Sequence, residues 1–216
     1  MSVLTAKEPT STRLVASLAV AGFLSGLIII AIYVATLPTI TANKAQELRE
    51  AVFHVLPGVS QMHKFRYDGE QLVNADNGKD GDDTVYAGYD DKGRFIGYAI
   101  ASEGPGFQDT VSLLFGYLPD SRKMVGMQIL DSRETPGLGD KIYKDADFVA
   151  NFDDLATEPM IVAVKKGHKS KPNEIDAITG ATISSKAVVR IMNEGIRRWR
   201  ERLPMSPPTE AEGGDR

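Results

Sequence analysis

The chain has 216 residues, which suits one domain with attachments, and a formal net charge of −4 at pH 7. This acidic balance argues against nucleic acid as a partner, because its binders carry basic patches. No cysteine is present, so disulfides, thiolate zinc sites, cysteine-ligated iron–sulfur clusters and thiol catalysis are excluded.

Residues 1–13 form a polar tail with Lys7, Glu8 and Arg13. Leu14 to Leu37 then runs without a charge and is dominated by Leu, Ile, Val and Ala. A helix of that length spans roughly 30 Å of hydrocarbon. It is longer than the ~7–15-residue core of a cleaved signal peptide, and a lipoprotein anchor would need a cysteine. The expectation is a single uncleaved transmembrane helix over residues 14–37. Gly22, Ser25 and Gly26 are small enough for another helix to pack closely. Lys7 and Arg13 before the span balance Lys44 and Arg49 after it, but Arg13 and the N-terminal amine tilt the reading toward a cytoplasmic N-terminus.

Pro38 is expected to end the span. Residues 38–58 read as a stalk, with a helix from Thr41 to Leu56 carrying Ala45, Leu48, Ala51, Val52 and Val55 on one face. Pro57-Gly58 stops it. Asp76 to Asp83 is a polar run expected as an exposed turn; it lacks the Glu that a calcium loop needs at its twelfth position. His54, His63 and His168 are scattered without ligand spacing and read as surface or interfacial residues.

Strand patterns follow. Thr84 to Tyr89 and Phe95 to Ala101 flank Asp90-Asp91-Lys92-Gly93 as a hairpin. Val111 to Leu118 and Lys123 to Asp131 flank Pro119-Asp120, and Met160 to Val164 is a further strand. No internal repeat is visible. Between these strands, Glu134-Thr135-Pro136-Gly137-Leu138-Gly139-Asp140 reads as a turn set by a proline and two glycines. Glycines there would let main-chain amides approach a ligand closely.

The stretch Asp176-Ala177-Ile178-Thr179-Gly180-Ala181-Thr182-Ile183-Ser184-Ser185 organises the chain. It opens directly into a helical pattern from Lys186 to Arg202. Thr179, Thr182 and Ser184 can each accept from the orphan amides of a first helical turn, and Gly180 permits a sharp approach. Small residues at a helix N-terminus suit an anion, above all phosphate. An ordinary capped helix is the plainer reading of the same residues. The helix pattern places Ile183, Ala187, Val188, Ile191, Gly195 and Trp199 on its buried face, with Trp199 as core. Arg197, Arg198, Arg200 and Arg202 suit the negative helix C-terminus. Residues 204–216 are expected to be disordered.

The run Asp-x-x-Thr-Gly-Ala-Thr-x-Ser resembles the flavinylation motif of FMN-binding subunits in Rnf-type ion-translocating electron transport complexes. The C subunit of the related Na+-translocating NADH:quinone oxidoreductase carries a similar motif. Glu134 to Ile142 resembles a second signature of that family, and Asn43 to Gly58 its juxtamembrane helix. The resemblance covers about residues 38–199. Two departures are Arg133, where histidine is common, and Asp109, where glycine is expected.

The resemblance implies that Thr182 carries one FMN through a phosphoester. Thr179, Gly180, Ala181 and Ser184 would surround the attachment point, and Glu134, Thr135, Pro136, Gly137, Leu138 and Gly139 would lie against the flavin. It implies an α+β fold: one N-terminal transmembrane helix, then a single extracytoplasmic FMN-binding domain over residues 59–203, with an antiparallel sheet and flanking helices. It further implies a bacterial inner-membrane location, other membrane subunits of the complex as partners, and a flavin transferase for maturation. The activity implied is electron relay between ferredoxin and NAD, coupled to H+ or Na+ translocation. No Ser-His-Asp set or metal-ligand cluster is evident, which fits a carrier that needs no general base. Two alternatives stand beside it: an anchored assembly or binding module without a redox role, and a flavinylated component of another extracytoplasmic reductase.

Overall fold

The computed structural model describes residues 10–76, 81 and 83–208. The chain divides into two compact units, Met1–Gln46 and Glu47–Arg216. The first helix, α1 (Ser11–Val55), begins in the first unit and ends in the second. Its apolar stretch is open to the surroundings on all sides: Leu18 is 73% exposed and Phe23 70%. An apolar helix with no buried face is built for a hydrocarbon surround.

The expected break at Pro38 does not occur, since α1 runs through it. A proline inside a helix removes one amide donor. Nearby threonines offer local compensation: the Thr36 hydroxyl donates to the Ile32 carbonyl at 2.9 Å, and that of Thr41 to the Leu37 carbonyl at 2.9 Å. Such side chains are what make proline tolerable in membrane helices.

The second unit is built on a seven-stranded antiparallel sheet. Its strands are β1 (Gln61–Tyr67), β2 (Leu72–Asn74), β3 (Thr84–Tyr89), β4 (Phe95–Pro105), β5 (Thr110–Leu118), β6 (Lys123–Ser132) and β7 (Leu155–Ala156), in the order β2-β1-β3-β4-β5-β6-β7. The short helices α2 (Lys141–Lys144) and α3 (Ala146–Val149) follow β6. A separate parallel pair, β8 (Val162–Lys165) and β9 (Glu174–Ala177), leads into the last helix, α4 (Thr182–Trp199).

Alternation along the strands gives the sheet two apolar faces. Val85, Ala87, Tyr98, Ile100, Leu113 and Phe115 point toward α4, where Val188, Ile191, Met192 and Trp199 complete the main core. Tyr86, Ala99 and Leu114 point the other way and meet Ala51, Val52, Val55 and Leu56 at the end of α1. Gly126 sits under that helix end: a Cβ there would lie 2.8 Å from the Val55 carbonyl oxygen. The sheet therefore has glycine where the helix backbone lands on it.

β8 is fastened to α4 by a two-way amide clamp. Asn193 Oδ1 accepts from the Ile161 amide at 3.1 Å, and its Nδ2 donates to the Ile161 carbonyl at 2.9 Å. At about 0.5–1.5 kcal/mol net per hydrogen bond, Asn193→Ala should destabilise the domain by about 1–3 kcal/mol. The expected readout is a lower urea midpoint at unchanged slope; an unmoved midpoint would contradict it.

Four strands escape the sequence pattern: β1, whose residues are largely polar, the short β2 and β7, and β9, which lies inside the organising stretch. Pro204 is tied in, its carbonyl accepting from the Tyr98 hydroxyl at 3.1 Å, and Pro207 is buried. Disorder was expected over residues 204–216; residues 204–208 are instead described with these contacts, whereas residues 209–216 lie outside the described residues, as does most of the Asp76–Asp83 turn.

Candidate functional site

Three chain segments meet at the start of α4: the turn after β9, the loop after β6, and the loop between β4 and β5. Gly180 has φ +85°, so the chain reverses there in a conformation that disfavours side chains. α4 begins immediately afterward, with Ala181 at its N-cap and no side-chain cap hydrogen bond. None of Thr179, Thr182 and Ser184 caps the helix as expected. Thr182 is already the first helical residue and Ser184 lies inside the first turn, so neither hydroxyl stands ahead of the amides it would accept from. An alanine cap offers no oxygen, which leaves this helix end open to an acceptor from outside.

The four hydroxyls near this turn have different occupations. Ser185 is fully buried, accepting from the Ile178 amide at 3.0 Å and donating to the Ala181 carbonyl at 2.9 Å. Ser184 is buried and donates to Glu134 Oε2 at 2.5 Å. Thr179 is exposed in the turn. Thr182 is exposed, and its hydroxyl reaches only a long contact of 3.4 Å with the Ile178 carbonyl.

Glu134 ties the three segments together. Besides Ser184, it accepts from the amides of Phe107 at 2.7 Å and Gln108 at 3.0 Å, both on Oε1. Burial alone would push the Glu134 carboxyl up, yet the Ser184 hydroxyl and the amides of Gln108, Phe107 and Asp109 together hold it below its usual value. Gly139 is small because it packs on this carboxylate: a Cβ there would lie 2.6 Å from Glu134 Oε2. The loop itself is wound tightly, with the amides of Leu138, Gly139 and Asp140 converging on the Thr135 carbonyl at 3.2, 2.9 and 3.3 Å.

Around this scaffold lies a groove of about 340 Å³ lined by Phe107, Thr135, Leu138, Gly139, Gly180, Ala181, Thr182, Ile183 and Ser184. Of the residues expected there, Thr135, Leu138, Gly139, Gly180, Ala181, Thr182 and Ser184 are brought together. Glu134 is buried behind them, and Thr179, Pro136 and Gly137 are exposed outside the lining. Ile183 was expected in the core but is 60% exposed in the groove, because it precedes the point where α4 meets the sheet. Phe107 and Ile183 are the residues that the motifs alone do not single out. With Leu138 they leave apolar surface open at 63%, 60% and 51% exposure. The two departures from the family pattern face each other: Arg133 Nη1 lies 3.8 Å from Asp109 Oδ2.

The residues present fit a ligand with an apolar ring and a phosphate. The side chains offer the ring a surface, while the uncapped helix start and a free-standing hydroxyl offer the phosphate a place.

Comparison with known proteins bears on the same residues. A family model described as FMN-binding domain matches residues 106–197. The chain is 33% identical over 183 residues to the G subunit of the proton-translocating ferredoxin:NAD(+) oxidoreductase complex of Clostridium ljungdahlii, covering 84% of this chain and 88% of that protein. It is 28% identical over 187 residues to the G subunit of the ion-translocating oxidoreductase complex of Methanosarcina acetivorans, covering 86% and 92%. In fold it is similar to the crystal structure of Shewanella oneidensis NqrC, with TM-score 0.61 at 19% identity over 74% of this chain and 97% of that one. This chain therefore belongs to the family of FMN-binding G subunits of ion-translocating oxidoreductase complexes.

Proposed function

We propose that this chain is the membrane-anchored, FMN-bearing member of an Rnf-type complex, with the flavin held as a phosphoester on Thr182. The observation that carries the reading is the start of α4. There an uncapped first turn and the exposed Thr182 hydroxyl border a groove with open apolar side chains. FMN, when bound, supplies a ring that takes up and passes on electrons. Phe107, Leu138 and Ile183 shield that ring from water, the first-turn amides of α4 face the phosphate, and Glu134 keeps the loops in register.

Membership of a family of complex components supports the other subunits of the complex as partners. Attachment needs a transferase acting on a donor whose FMN phosphate is activated as an anhydride. The Thr182 Oγ1–P bond forms, the anhydride P–O bond breaks, and a base on the transferase takes the hydroxyl proton. The apolar stretch of α1 supports anchoring in the membrane. The charge tilt at Arg13 supports a cytoplasmic N-terminus with residues 59–203 outside the cytoplasm.

Membranes containing the chain should keep it through a carbonate wash, and flavin fluorescence should travel with its band after denaturation in detergent. A soluble, shortened chain would point to a cleaved signal sequence. A retained but colourless band would favour an anchored module without a redox role.

A further inference from the structure

A second, larger groove of about 800 Å³ runs along α4 beyond the flavin site. Its apolar part includes Met160, 68% exposed, beside Val189 and Ile196. Lys186, Arg197 and Arg200 stand around it. Two carboxylates also line it. Glu158 pairs with Arg122 and Arg200, at 2.5 and 3.3 Å, which offsets Arg200 as well, so Lys186, Arg190 and Arg197 face Glu194 alone. In a chain of net charge −4, this is a local surplus of positive charge around an exposed apolar side chain. Lys186 lies four residues after Thr182, one turn further along the same helix face.

We infer that this groove docks an acidic segment of a neighbouring subunit, seating one apolar side chain against Met160 with carboxylates on Lys186 and Arg197. Charge complementarity selects the occupant, because opposite charge steers encounter and fixes register. The chain's own C-terminal residues 209–216 carry acids but no large apolar side chain, so they cannot fill the apolar part. The inference rests on the family assignment and not on the chemistry of flavin attachment.

The test places a photo-crosslinking residue at Met160 in the assembled complex in native membranes. The expected product joins this chain to another subunit of that complex, at a peptide bearing Asp or Glu. Lys186→Glu with Arg197→Glu should lower its yield about tenfold, with flavin content unchanged and the chain still cooperatively folded at a slightly lower unfolding midpoint. Turning a carboxylate of the captured peptide into lysine should restore it. An adduct with a second copy, with residues 209–216 or with lipid would overturn the inference, as would a yield indifferent to charge reversal. Loss of flavin in the charge-reversed chain would place the groove in the cofactor site and overturn it too, whereas a colourless wild-type chain that still crosslinks would refute only the flavin reading.

Discussion

Thr182→Ala should yield a folded, membrane-bound, colourless protein, and electron flow through the complex should fall to background. The folding cost of this change is small. Thr182 is not the helix cap, is exposed, and makes only the 3.4 Å contact to Ile178. Removing such a group costs within about 0.5 kcal/mol, as at other surface positions. The helix-dipole attraction for a bound phosphate amounts to about 0.3–1 kcal/mol, far too little to retain a flavin without the ester. Loss of colour should therefore be complete at nearly unchanged stability. Thr182→Ser keeps a hydroxyl but loses the methyl that restricts its rotamer, so partial flavinylation is expected. Absorbance of the purified chain and its urea midpoint read both arms together. A yellow Thr182→Ala protein would refute the assignment.

Glu134→Ala should loosen the groove without removing the attachment point. It leaves two amides and the Ser184 hydroxyl without their acceptor. The buried Ser184 hydroxyl left without its acceptor costs about 1–3 kcal/mol, while the amides of the exposed Phe107 and Gln108 can turn to water at less. Glu134→Gln keeps Oε1 for the two amides and should be much milder, since its amide group can donate to Ser184. The alanine variant should show a shifted flavin spectrum and a substantially lower midpoint, with the glutamine variant between it and the parent. Equal behaviour of the two would mean that the carboxylate has no keystone role. The acid dependence follows from the direction of the Glu134 shift. A depressed folded value means that its stabilisation is complete above its ordinary value of 4.5 and is lost as pH falls through the lower, folded one. The flavin spectrum should hold steady down to about pH 5 and change only in stronger acid.

Much of this architecture is written in local pattern. β3 runs from Thr84 to Tyr89 as the strand and hairpin signals predict, and β5 and β6 differ from expectation by a residue at one end, because strand composition and turn residues act within a few positions. Trp199 is core, as helical spacing indicates. Pro38 misleads because a local helix breaker is overridden by a long apolar helix with threonines nearby. Ile183 misleads because the helix pattern gives no clue to where contact with the sheet begins. The contact between Glu134 and Ser184 spans 50 residues of sequence, and no short-range signal could reveal it. The motif's hydroxyls lie together at one turn, while the division of labour among them emerged only in three dimensions. Ser184 and Ser185 are committed to the scaffold, and Thr182 is left facing the groove.

The most direct test of the central claim is peptide mass spectrometry on the chain purified from its native membrane. The peptide containing Thr179, Thr182, Ser184 and Ser185 should carry the mass of FMN less one water, with fragmentation placing it on Thr182. An unmodified peptide, or an adduct on Thr179 or either serine, would contradict the account.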